Sequence, residues 1–223
     1  MKPSVISIIG SMASGKTTLS RRLIEFLTDG ETPVEIVGER VYYTYYEKSG
    51  VVVLGKMGKN ACTGLDSVYS KIGAEGVAIT IEHIIENTKA NIIICEFAFF
   101  TMGVVRHWHL RGVRKRFKHH VFYLNFDYWH NLRRLSQRKA KKHNQSNPED
   151  QKEWYEMYLP DTVYKNVLGK NLEQRNIFKK LQGDLEIKNL EKDLVADYTL
   201  EIDTNLPERR VFSIMIKEFS KNI

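Results

Sequence analysis

Cysteine is almost missing from this 223-residue chain, which carries only Cys62 and Cys95. Two thiols cannot build a disulfide framework, and neither stands at metal-ligand spacing. A reducing, cytoplasmic setting fits that scarcity. Long hydrophobic runs are missing too. The longest, residues 92–105, interrupts itself with Glu96 and is too short to span a bilayer. The opening Met1-Lys2-Pro3-Ser4 leads into a short apolar run ending at Gly10, which is not a signal-peptide pattern. No membrane partner is expected. Internal repeats and low-complexity tracts are absent. With 42% hydrophobic and 27% charged residues, disordered and collagen-like classes are excluded and a core is expected. The last scarcity is local. Between residues 97 and 148 there is one acid, Asp127, against 12 Lys/Arg. That segment carries +11, the whole chain +7, and the remainder therefore −4. Such asymmetry points to a polyanionic partner, nucleic acid or clustered phosphates, or else to a solvated basic face.

What is present alternates between two periods. Residues 4–9 are β-branched and apolar and stop at Gly10, as a buried strand does. Leu19, Leu23, Ile24 and Leu27 then recur at helical spacing until Asp29-Gly30. Residues 34–37 read as a second strand. Residues 41–54 read as a hairpin turning at Lys48-Ser49-Gly50, followed by a glycine- and lysine-rich loop over 55–64. A helix is expected over 74–88, with Val77, Ile81, Ile84 and Ile85 on its apolar face. Residues 91–95 read as a buried strand closing on Glu96. A basic helical stretch (104–118), a strand (120–126) and a strongly basic helix (128–142) follow. Asn144-Gln145-Ser146-Asn147-Pro148 breaks that helix. A polar, mostly helical segment fills 149–193, with a last strand at 198–202 and a last helix at 207–219. Strands alternating with helices predict an α/β fold with a mostly parallel sheet.

Gly10-Ser11-Met12-Ala13-Ser14-Gly15-Lys16-Thr17 satisfies G-x-x-x-x-G-K-[ST] between the first strand and the first helix. This is the pattern of a phosphate-binding P-loop. Its glycines let the backbone curl so that successive N–H groups point at phosphate oxygens. The helix N-terminus adds its positive end. Gly10, Ser11, Ala13, Ser14, Gly15, Lys16, Thr17 and Thr18 are the candidate nucleotide-binding residues. Lys16 is expected on the β- and γ-phosphates, Thr17 on Mg²⁺, and Thr18 near the α-phosphate.

Glu96 ends a buried strand at the sheet edge where α/β proteins bind ligands. A carboxylate there can hold a Mg²⁺-bound water or act as a base. Arg134 and Arg138 are four apart and share a helix face. They can neutralise charge on a transferring phosphoryl group.

The P-loop, the strand ending in Glu96, the arginine-rich helix and the last strand with its Asp203-Thr204-Asn205 resemble the nucleoside and nucleotide kinase group of P-loop proteins. That resemblance implies one three-layer P-loop NTPase domain over 1–223. Its sheet would have about five strands, mostly parallel. An inserted β-hairpin and acceptor region would span about 40–70, and a basic helical lid about 104–150. It also implies ATP and Mg²⁺. Val51-Val52-Val53-Leu54-Gly55-Lys56 with Thr63-Gly64-Leu65-Asp66-Ser67-Val68 is similar, more narrowly, to phage P-loop kinases that phosphorylate 5-hydroxymethyluracil within DNA. This narrower resemblance implies a DNA partner carrying a modified pyrimidine, a host-cytoplasm location, and Asp66 facing the acceptor.

A kinase acting on a base in DNA needs a track for the backbone. Arg106, Arg111, Arg114, Lys115, Arg116 and Lys118, with the basic residues of 133–142, are the candidates. It also needs an exposed base and aromatic rings to stack on it. Tyr42, Tyr43, Tyr45, Tyr46 and Trp108 are available, unless the alternate tyrosines simply pack on the sheet. Asp66, Glu96 and Glu39 are the candidate bases for the acceptor hydroxyl. His107, His109, His119 and His120 lack carboxylates or thiols at ligand spacing and read as basic surface. Two rival readings stand beside the DNA kinase. One is a kinase of free nucleosides or nucleoside monophosphates. The other is an ATP-dependent nucleic-acid-binding protein that phosphorylates no acceptor.

Overall fold

The computed structural model describes residues 2–10, 13–55, 64–97, 100–125, 127–142, 161–183 and 194–222. Of residues 64–71, 128, 136, 138–142 and 161–167 it describes the backbone alone. The strands are β1 (Ser4–Gly10), β2 (Val34–Val37), β3 (Tyr42–Tyr46), β4 (Val51–Leu54), β5 (Ile92–Glu96), β6 (Lys118–Asn125) and β7 (Tyr198–Asp203). The helices are α1 (Lys16–Thr28), α2 (Gly64–Asn87), α3 (Met102–Leu110), α4 (Tyr128–Lys142), α5 (Asp161–Gln182) and α6 (Glu208–Asn222), with a 3₁₀ turn at Val113–Arg116.

One sheet holds all seven strands in the order β2-β3-β4-β5-β1-β6-β7. β4, β5, β1, β6 and β7 are parallel neighbours, the five parallel strands that the resemblance implies. β2 and β3 extend one edge as an antiparallel meander. The hairpin of residues 41–54 is not set apart from this sheet. Its second strand is the outermost parallel strand, because Val51–Leu54 is apolar and buried on both faces.

Period-two alternation divides the core. Val5 and Ile9 of β1 face α2, α3 and α5, through Val77, Ile81, Val104, Trp108, Phe178 and Leu181. Ile6 and Ile8 face α1 and α6, through Leu19, Leu23, Val211 and Met215. Helices on both faces of a central sheet make three layers.

Two elements depart from the sequence expectation. α2 begins at Gly64, ten residues before the apolar periodicity does. Gly73 (φ 66°, ψ −173°) breaks it, so the amphipathic pattern is legible only from residue 74 onward. The basic stretch at 104–118 is not one helix. Gly112, at φ 68°, stops α3 and starts the 3₁₀ turn. No helix among the described residues is long and apolar enough to cross a membrane.

Candidate active site

The P-loop leaves β1 at the sheet's C-terminal edge. Gly10 sits at φ 151°, and a Cβ there would lie 2.8 Å from the Leu124 carbonyl oxygen of β6 and 3.0 Å from Ser14 Oγ. Only glycine lets the loop turn this tightly against the sheet. Gly15 is left-handed at the N-cap of α1. Ala13 is also left-handed, at φ 61°, a conformation that costs a residue with a Cβ free energy and gathers at functional loops. Lys16 is buried and folds back over the loop, donating from Nζ to the Gly10 carbonyl oxygen at 2.9 Å. Ser14 Oγ is buried without a hydrogen-bond partner among the described residues. Ser11 lies outside the described residues.

Across the loop, Thr17 Oγ1 donates to Glu96 Oε1 at 2.6 Å. The alternation of β5 explains this meeting. Ile94 and Glu96 point to the α1 face, while Ile93 and Cys95 point to the other. Glu96 is buried, and its Oε2 has no hydrogen-bond partner among the described residues. A hydroxyl and a carboxylate with one unspent buried oxygen fit Mg²⁺, which takes one or two protein oxygens and completes its shell with water and phosphate. Among the described residues no cluster of three or more His, Cys, Asp or Glu gathers elsewhere.

α4 delivers an arginine to the loop. Asp127 caps the helix, with Oδ1 accepting from the backbone N–H of Trp129 at 2.8 Å and of His130 at 3.3 Å. Asn131 and Leu132 are buried, and Arg134 reaches the P-loop, where Nη1 donates to the Ala13 carbonyl oxygen at 3.4 Å. Arg138 lies on the same helix, but its side chain is outside the described residues. Beside Arg134 opens a 230 Å³ pocket walled by Gly15, Thr18, Leu124, Thr204, Leu206 and Glu208. Thr204 pins this wall, since its N–H and its hydroxyl both donate to the Asn125 carbonyl oxygen at 2.9 Å. Thr204 was visible in sequence only as part of the turn after the last strand. Leu206 and Glu208 carried no signal at all.

Among the other candidates, Glu39, Tyr43, Tyr45 and Trp108 are not gathered here. Asp66 lies in the first turn of α2 rather than on a glycine loop, with its side chain outside the described residues. Glu39 is exposed between β2 and β3, at the same sheet edge but three strands and roughly 14 Å from β5. Tyr43 is buried in the core. Tyr45 is partly buried, and its hydroxyl accepts from the Lys89 N–H at the opposite sheet edge. Trp108 is fully buried against Phe117 and His119, so it cannot stack on a base.

The expected backbone track is also dispersed. Arg106 is exposed on α3. Arg111 donates to Glu82 and lies 3.8 Å from Glu75. Arg116 pairs with Glu86 at 2.8 Å. Arg114 is buried and donates to the Val195 carbonyl oxygen at 2.8 Å and to Asp197 at 3.0 Å. Lys115, exposed, stands between them. Residues 113–116 precede β6, so they occupy the sheet edge opposite the P-loop, about 20 Å away along a seven-residue strand.

His119 and His120 are core residues rather than basic surface. His119 Nε2 lies 2.9 Å from Ser7 Oγ. Burial, then the Arg114 guanidinium and His120, hold its pKa well below the usual range. His120 is lowered chiefly by burial, with Lys118 and Arg114 adding to it and Asp197 opposing.

No family profile and no curated protein matches the chain. Solved structures do. A protein from Chloroflexus aurantiacus, provisionally called a kinase, aligns over all of both chains with a TM-score of 0.51 at 11% identity. The deoxyadenosine kinase of M. mycoides with bound dATP aligns over 97% of this chain and 99% of its own, at TM-score 0.41 and 11% identity. A fungal RNA kinase aligns over 100% of this chain and 45% of its own, at TM-score 0.45 and 11% identity. Only the first is close enough to bear on architecture, and at that identity it speaks for the fold alone. The chain shares its three-layer α/β fold with that protein.

Proposed function

We propose that this chain is an ATP-dependent kinase that moves the γ-phosphoryl group to a hydroxyl of a nucleotide or nucleic-acid substrate. The observation that carries this reading is the Thr17–Glu96 pair with its unspent Glu96 Oε2, set beside a P-loop and an arginine of α4. Thr17 and Glu96 would hold Mg²⁺, which when bound would supply charge neutralisation at the phosphates. Lys16 exchanges the Gly10 carbonyl for phosphate oxygens. Arg134 turns from the Ala13 carbonyl to the transferring group, where charge develops. The pocket between Arg134 and Thr204 takes the donor base. Phosphoryl transfer needs positioning and charge stabilisation more than base strength. Asp66 orients the acceptor hydroxyl, and Arg138 joins Arg134.

The finer acceptor we propose is the 5-hydroxymethyl group of hydroxymethyluracil in DNA. The short resemblance at 51–56 and 63–68 and the cations of α4 support it. A free nucleoside or nucleoside monophosphate is the second reading, favoured by the engagement of Arg111, Arg114 and Arg116 with acids. γ-Labelled ATP offered with hydroxymethyluracil DNA, thymine DNA and free nucleosides and monophosphates separates them. Label in hydroxymethyluracil DNA alone establishes the first, and label only in mononucleotides establishes the second. ATP hydrolysis stimulated by DNA with no labelled acceptor overturns both. Lys16→Ala is expected to cut transfer by about a thousandfold.

A further inference from the structure

The sheet edge opposite the P-loop, where β1 and β5 begin, carries a concentration of positive charge that the kinase reading does not use. A cleft of 580 Å³ opens there, its polar lining made by Lys2, Thr88, Lys89, Asn91 and Arg116 and the rest by Pro3, Ile85 and Ala90. Lys2 and Lys89 are exposed, with no carboxylate partner among the described residues. Arg116 Nη1 is held by Glu86 at 2.8 Å and lies 4.0 Å from Glu82 Oε1, so two carboxylates fix the guanidinium, while its Nε and Nη2 have no hydrogen-bond partner among the described residues. Lys118 stands next to the cleft, exposed, its backbone N–H donating to the Pro3 carbonyl oxygen at 2.9 Å. Two of these cations belong to the basic segment. Lys2 and Lys89 come from remote parts of the sequence, so only the fold assembles the group.

We propose that this cleft is a binding surface for the phosphodiester backbone of nucleic acid, separate from the P-loop site. Several spaced cations around a concave polar floor suit a chain of phosphates. An anionic membrane fits less well. Among the described residues the exposed large apolar side chains are Phe26, Val34, Val37, Leu110, Trp129, Leu168 and Leu172, and none lines the cleft, whereas interfacial binding needs an apolar face to insert. Nucleic acid seated here lies about 20 Å from the P-loop across the sheet. It is held near the enzyme rather than presented to the reacting phosphate.

The test is anisotropy of a labelled oligonucleotide, duplex and single-stranded, bound to the full chain without ATP across a salt series. Lys2→Ala/Lys89→Ala/Lys118→Ala is expected to weaken binding by about tenfold and to lower the log–log salt slope by roughly two to three. The matching Lys→Glu triple variant is expected to weaken it further. Unchanged affinity and slope in both variants overturn the proposal. So does complete competition by inorganic phosphate irrespective of oligonucleotide length, which would mark a small-anion site. Binding to phosphatidylserine vesicles that the same variants abolish, without oligonucleotide binding, also overturns it. Binding needs neither ATP nor transfer, so failure of the kinase reading leaves this result readable. Transfer to a mononucleotide acceptor is expected to be unchanged in the Lys→Ala variant.

Discussion

Two halves of one basic segment meet opposite fates. In the first, from α3 through the 3₁₀ turn, Arg111 and Arg116 reach across to the glutamates of α2, and Arg114 turns inward to Asp197 and two backbone carbonyls. In the second, α4 projects Arg134 over the P-loop, where its Nη1 donates to the Ala13 carbonyl oxygen at 3.4 Å. Local charge density is the same kind of signal in both. What separates them is where each side chain ends, against the glutamates of α2 and Asp197 or against the P-loop. An arginine paired with carboxylates stabilises the fold, and one set against an anion-binding loop is placed to meet a ligand.

Substitutions can break that contrast, the largest effect first. Arg134→Ala is expected to lower kcat by about a hundredfold with an unchanged melting temperature, measured by steady-state transfer and thermal denaturation. Loss of stability without loss of rate would place Arg134 with the structural arginines. Arg114→Ala should do the reverse. It strips a buried guanidinium from Asp197 and two carbonyls, and is expected to cost roughly 2–3 kcal/mol in urea unfolding, with kcat per folded molecule retained.

Acidification tests the strand that joins the two halves, β6. His119 and His120 have folded pKa values below the ordinary one. Below about pH 6.5 the unfolded chain takes up protons that the folded chain refuses. Stability is therefore present above that pH and is lost as pH falls through it towards the folded values, at up to about 1.4 kcal/mol per pH unit for each histidine. Urea midpoints measured from pH 7.5 downward should show the fall, and His119→Gln should flatten it. A wild-type curve that stays level would remove the buried neutral histidines from the account. The smallest effect is expected of Arg111→Ala. Its ion pairs are partly exposed, so about 0.5 kcal/mol and a melting shift of one or two degrees should result, with activity intact.

Much of this molecule was legible before any coordinates. The P-loop was, because its chemistry demands fixed residue types at fixed spacing between a strand and a helix. Glu96 was, because a carboxylate closing a fully apolar strand is unusual, and period two then aims it at α1. Boundaries set by a single glycine were not. Gly73 splits α2 and hides its first section from a periodicity search, so Asp66 reads as loop and sits on a helix. Four tyrosines in a row of five residues read as a stacking platform, yet a strand with neighbours on both sides buries Tyr43 and turns Tyr45 away from the P-loop edge.

The amino-acid order alone determined the parallel α/β frame, the phosphate cradle and the excess of cations between residues 97 and 148, since each rests on local pattern or on counting. Only the tertiary structure decided which cations are spent. Glu82, Glu86 and Asp197 lie far along the chain from the arginines they neutralise, and packing α2 and β7 against the basic segment is what brings them within hydrogen-bonding reach. Coulombic pairing depends on separation in space, and separation along the sequence carries no record of it.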